Sequence, residues 1–353
     1  MKILPAKHLG LLVALAIASG FVALPSQGAE IDQQLIDITS NDQTQEQRQA
    51  RDVADQLLRL GQQEIEDNNY ERGINAWYRA IDIYIALGDF PAAGIAYDYI
   101  SQTYADLGQY LEAEDAIRRR LAIAQDYADF RGQVYGFNNL GSVLLQRGHL
   151  RQAEEAFQVA LVIAEDIEDP ASMGISLSNL GLLARIQGDL AGAQDYYEAA
   201  TNYRLRAGDL VGQAYSSNSL GRLYLELGEE GQALGAFLVA RRAANEAGHI
   251  PTLLVALDGL IDIYRDRDDL TQTQQYLDER IALTEGAEAN PAQQLGTLIQ
   301  LGQYYEQLGD PRAAQEAYQQ ALVLAQQLED VAKETFLVNR IQVVQFQPST
   351  VNQ

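Results

Sequence analysis

The chain of 353 residues contains no cysteine, which removes disulfides, thiolate zinc sites and cysteine nucleophiles together. Lysine is almost absent too: Lys2 and Lys7 stand at the start, and Lys333 alone follows them. Against 25 Lys and Arg there are 49 Asp and Glu, a net charge of −24 that becomes −26 once Lys2 and Lys7 are set aside. A surface this acidic repels phosphate backbones and anionic lipid heads, which argues against nucleic acid and membrane-surface partners. There is no Gly-rich phosphate loop. His149 and His249 lie 100 residues apart, out of phase with the repeat described below, so they do not form a shared metal site. No cofactor and no catalytic residue is expected.

Long apolar runs are confined to the beginning. Lys2 and Lys7, the apolar stretch Leu9 to Leu24, and Pro25-Ser26-Gln27-Gly28-Ala29 have the order of a secretory signal peptide, so residues 1–29 are expected to be removed near Ala29 or Glu30. No cysteine follows the stretch, which excludes a lipoprotein. No later segment is long and apolar enough to span a bilayer, so no membrane insertion is expected after cleavage. The expected compartment is the periplasm, a thylakoid lumen or the exterior.

What the sequence does have is a period. Gly61, Ser101, Gly141, Gly181, Gly221, Ile261 and Gly302 fall 40 residues apart, with one residue added before the last. Such a period means that one supersecondary unit is stacked repeatedly and buries a continuous core between neighbours. Each period reads as two helices. In one of them Val134, Phe137, Leu140, Val143 and Leu144 follow helical spacing up to Gly148; in its successor Ala153, Ala156, Phe157, Ala160, Leu161 and Ala164 do so up to Asp169-Pro170. The stops keep register: Asn68, Gly108, Gly148, Gly188, Gly228, Asp268 and Gly309 after first helices, and Gly88, Gly208 and Gly248 after second ones, all residue types that tolerate positive φ.

A column of small residues (Gly73, Ala113, Ala153, Ala193, Ala233, Thr273, Ala314) is followed four positions later by a large one (Trp77, Ile117, Phe157, Tyr197, Phe237, Leu277, Tyr318). Alanine stands three further on, except at Arg120 and Arg280. Small against large is the complementarity that closely approaching helices need. At these columns residues 48–330 resemble the tetratricopeptide repeat family, best in repeats three, four, five and seven. Repeat one departs at Glu64, and repeats two and six at Arg120 and Arg280, where the loosest hairpin packing is expected. The pitch of 40 is longer than the usual repeat and resembles the kinesin light chain type of adaptor.

The resemblance implies an all-α, right-handed α-solenoid of about seven helix-turn-helix hairpins, with a polar linker or cap over 30–47, a capping helix over 331–346 and a frayed tail over 347–353. It also implies a concave groove, lined by the first helices, that binds a protein or peptide. Transferred by register, the groove positions are Tyr135, Asn138 and Ser142; Ser178 and Arg185; Tyr215, Asn218 and Arg222; and Asp258, Asp262 and Arg265. Asn carboxamides donate and accept together, which suits peptide backbone, and Arg suits carboxylates. Alternatively, Arg185, Arg222 and Arg265 pair with nearby acids such as Asp258 and Asp262. Asp258, Asp262 and Asp266 share a helix face but lack the turning loop of a calcium site. Arg118-Arg119-Arg120 is either a basic patch or is paired with Glu112, Glu114 and Asp115. The functional expectation is an exported, non-enzymatic interaction scaffold or assembly factor. Its alternatives are a glycan-processing envelope enzyme using Asp258 and Asp262, and a permanent structural subunit of a larger complex.

Overall fold

The computed structural model describes residues 45–285 and 290–345. The expected leader, nearly all of the 30–47 segment and the tail lie outside these residues. Two compact units divide between Gly212 and Gln213. In the first, α1 (Gln45–Glu66) packs with α2 (Tyr70–Leu87), and α3 (Phe90–Asp106) with α4 (Tyr110–Asp126). α5 (Phe130–Gln146) likewise packs with α6 (Leu150–Asp166), and α7 (Pro170–Gln187) with α8 (Leu190–Ala207). α9 (Leu210–Glu226) carries the chain into the second unit, which continues through α10 (Glu230–Glu246), α11 (Ile250–Asp266) and α12 (Leu270–Thr284). It ends with α13 (Pro291–Gln307), α14 (Pro311–Gln327) and α15 (Val331–Gln345). The architecture is an all-α solenoid of helical hairpins. α15 packs on α14 through Leu337 and Val344, which join the core around Tyr318.

The turns follow from local chemistry. Asn68, Gly88, Gly108, Gly148, Gly188, Gly208, Gly228, Gly248, Asp268 and Gly309 all take positive φ, the left-handed C-cap that satisfies the last carbonyls of a helix. Ala128 and Glu168 adopt the same conformation at φ 52° although each carries a side chain, which costs on the order of 1–2 kcal/mol per residue. Backbone bonds hold them there: Asp129 N–H reaches Ala124 O at 2.8 Å, and Asp169 N–H reaches Ala164 O at 3.0 Å.

Inside each hairpin the large residue of the second helix packs over the glycine of the first, sixteen positions earlier. A methyl group added at Gly141 or Gly302 would overlap the Phe157 or Tyr318 ring, and one at Gly181 or Gly221 would approach Tyr197 or Phe237 to 2.8 and 2.9 Å. The repeats lacking that glycine compensate. Ser101 faces the register of Ile117 and Ile261 that of Leu277, so a side chain on the first helix goes with an aliphatic group, never a ring, on the second. All four are buried. Volume across the hairpin is conserved, which is the substitution pattern cores tolerate best.

The expectation that repeats two and six pack most loosely fails for repeat two, whose helices pack as closely as those of its neighbours, whereas α11 and α12 of repeat six meet less closely than the hairpins of repeats one to four and seven. Arg120 and Arg280 are only 3% and 4% exposed, and each closes a polar contact inside the array. Arg120 Nε donates to Asp98 at 3.1 Å and its Nη2 to Asp129 at 3.1 Å. Its guanidinium lies where a methyl group on Gly94 or Gly132 would stand. Arg280 grips Asp258 at 2.7 and 3.2 Å and donates to Gln293 O and Thr297. Where alanine is replaced by arginine, first helices next to it supply a carboxylate to meet it.

Candidate functional site

Within the units, α3 touches α5, α5 touches α7 and α11 touches α13, whereas no two second helices among the described residues approach as closely. First helices therefore form the tighter inner layer, and second helices the outer one. The inner layer is the candidate site.

Two of the expected groove residues are not on its surface. Asn138 and Asn218 are each 3% exposed. Asn138 Nδ2 donates to Val134 O and to Ser176 Oγ of the next first helix, both at 2.9 Å, and Asn218 Nδ2 donates to Thr252 O at 3.0 Å. They hold neighbouring hairpins together, and both amide N–H groups of Asn138 are spent in doing so. The transferred register places Asn138 and Asn218 inside, although Ser178, their equivalent in repeat four, is half-buried. Asn139 and Asn179, which it passes over, are half-buried. Each donates back to the preceding hairpin, Asn139 to Asp98 at 3.1 Å and Asn179 to Asn138 Oδ1 at 2.8 Å. The result is a polar ladder along the inner layer, and its sequence signal is the Asn placed directly before Leu140-Gly141 and Leu180-Gly181.

The remaining expected residues are half-buried: Tyr135, Ser142, Ser178, Arg185, Tyr215, Arg222, Asp258, Asp262 and Arg265. Ser178 Oγ donates to Gly174 O at 2.8 Å. In the second unit the local-pairing alternative describes Arg265, whose guanidinium donates to Asp262 at 2.5 Å and to Gln300 and Gln303 at 2.7 Å each. Burial pushes the Asp262 carboxyl up, the nearby Asp258 charge adds to this, and Arg265 opposes it. Asp258 accepts from Arg280 Nε at 2.7 Å. Arg118 and Arg119 pair with Glu114 at 2.5 Å and Asp115 at 2.8 Å on their own helix, the plainer of the two readings of that triplet. Among the described residues no group of three or more His, Asp and Glu could hold a metal ion. No described helix is long and apolar enough to cross a membrane.

Paired helices of this length, a small-to-large interhelical column and glycine C-caps at a fixed pitch define a helical-hairpin repeat protein. More narrowly, residues 295–327 match the model of the tetratricopeptide repeat. No curated protein matches the sequence. Solved structures that share the fold include the following three. BtubC (BKLC) from P. vanneervenii is 20% identical, with 63% of this chain and 90% of that one covered and a TM-score of 0.54. Aspartyl phosphate phosphatase F from Bacillus subtilis is 15% identical over 95% of this chain and 97% of that one, TM-score 0.58. A Rap protein complexed with competence and sporulation factor is 15% identical over 98% and 88%, TM-score 0.53.

Proposed function

We propose that this protein is an exported, non-enzymatic interaction scaffold that captures a protein or peptide segment along its inner layer. The observation that supports this most is the inner layer itself: half-buried Tyr, Ser, Asn, Gln and charged groups recur there at the repeat pitch, one set per hairpin. The Rap protein of the same fold is complexed with competence and sporulation factor, a precedent for ligand capture on this scaffold. The acidic balance disfavours nucleic acid partners. Export rests on the leader-like first 29 residues, and the absence of catalysis on the dispersal of the inner carboxylates among arginine partners.

Because Asn138 is a structural bond, the informative substitutions are at its half-buried neighbours. Ser142→Trp together with Ser178→Trp fills the inner layer while leaving Asn138, Asn139 and Asn179 in place. Affinity capture from the export compartment should then lose its partner at least tenfold, while Val159→Ser with Val162→Ser, on the exposed face of α6, leaves capture and helical circular dichroism unchanged. Equal retention by both double variants would sink the inner-layer assignment.

A further inference from the structure

The turn from each second helix to the next first helix carries an N-cap residue at the repeat pitch, and most of these caps are carboxylates with a basic partner. Asp89 is held by Arg51 at 2.5 Å, Asp129 by Arg120 at 3.1 Å, Asp169 by Arg131 at 3.0 Å and Asp209 by Arg204 at 2.7 Å. An ionised cap suits the positive end of the helix, and the arginine ties it to the preceding hairpin. His249, the N-cap of α11, breaks the column. Its Nδ1 accepts from Thr252 N–H at 3.4 Å and lies 2.8 Å from Thr252 Oγ1, and its ring lies 6.5 Å from that of Tyr215 on α9. Among the described residues no guanidinium is bonded to it.

An imidazole can serve as this cap only while Nδ1 keeps its lone pair. Protonation converts the acceptor into a donor facing the Thr252 N–H and places a positive charge at the positive end of α11. We propose that His249 makes the joint between α9 and α11 a pH-responsive hinge: the neutral ring closes it, and protonation releases the first turn of α11 from Tyr215. The surroundings offer no compensating charge. From α9 the ring meets the Tyr215 phenol; on α11 it meets Thr252, with Asp258 and Asp262 more than two turns further along. Asp258 is committed to Arg280 of α12, and Arg242 and Glu246 at the end of α10 are exposed and unpaired with the ring. Burial alone lowers the imidazole below its ordinary value. A base held neutral in the fold and charged on opening gives a joint that is firm above the ordinary histidine range and weakens as pH falls through 6.5 toward the folded value.

The test is hydrogen exchange of the full chain at pH 7.5 and 5.0, corrected for intrinsic rates, on wild type, His249→Asn and His249→Asp. In wild type the protection of amides in the first two turns of α11 should drop about fivefold at the lower pH, the size of one lost N-cap. His249→Asn, which caps without titrating near neutrality, should hold its protection at both, and His249→Asp, which restores the column's usual residue, should do likewise. A wild type that keeps its protection at pH 5.0 overturns the hinge. So does a His249→Asn or His249→Asp variant that loses as much as wild type, since the pH response then belongs to other groups.

Discussion

Gly141→Ser should destabilise the third hairpin by about 1–3 kcal/mol, the usual cost of an overpacked core, because its side chain must occupy space held by the Phe157 ring. Phe157→Ile alone should cost a similar roughly 1–3 kcal/mol by leaving a cavity. Together they reproduce the Ser101 and Ile117 pair that the second hairpin already uses, so the double variant should recover much of both losses. The expected coupling is on the order of 1 kcal/mol or more, well above the scatter of independent sites. Urea melts of the four proteins measure it, with exchange protection of α5 and α6 as a local readout. Strictly additive losses would show that the glycine and the ring do not compete for one space.

Arg120→Ala should be the more damaging single change. Removing one partner of a buried ion pair costs about 3–5 kcal/mol, because the other charge is left without compensation. Here that charge is Asp98, which is 7% exposed and whose carboxylate is bonded, among the described residues, to Arg120 and Asn139. Burial pushes the Asp98 carboxyl up, and the Arg120 guanidinium and the Asn139 amide pull it back. Without Arg120 it rises further. A carboxyl raised in the fold above its unfolded value favours folding while protonated and opposes it once ionised, so the variant should lose stability as pH climbs from about 4 toward neutrality. Adding Asp98→Asn removes the stranded charge, and the double variant should regain more than half of the loss and shed the extra pH slope. Melts at pH 5 and 8 decide the matter: a loss equal at both values, or unrelieved by Asp98→Asn, contradicts the ion-pair account.

The fold was legible because its signals are local and recur in place. Left-handed caps call for Gly, Asn or Asp, and hairpin cores for small against large, so a single column displays each requirement seven times over. Ala128 and Glu168 escaped that reading because backbone bonds impose the conformation there without help from residue type. The contacts between hairpins were harder to see, because they run diagonally across the columns. Arg131 to Asp169 and Asn138 to Ser176 span 38 residues, and Asn139 to Asp98 and Asn179 to Asn138 span 41. A column cut at 40 lines up none of these pairs. For the same reason Arg120 and Arg280 looked like defects in an alanine column: their carboxylate partners stand 22 residues earlier, in a different column altogether. The site suffered most, since one register position is buried at Asn138 and Asn218 and half-buried at Ser178, so spacing alone does not tell a structural residue from one on the inner surface.

The inner layer as the capturing surface is tested most directly by photo-crosslinking in the living cell. A benzophenone side chain at Ser142 or Ser178, half-buried on α5 and α7, should yield one shared partner adduct, and the same probe at Val162 on the exposed face of α6 should not. An adduct from Val162 in place of the inner positions would assign capture to the outer helices and contradict the account.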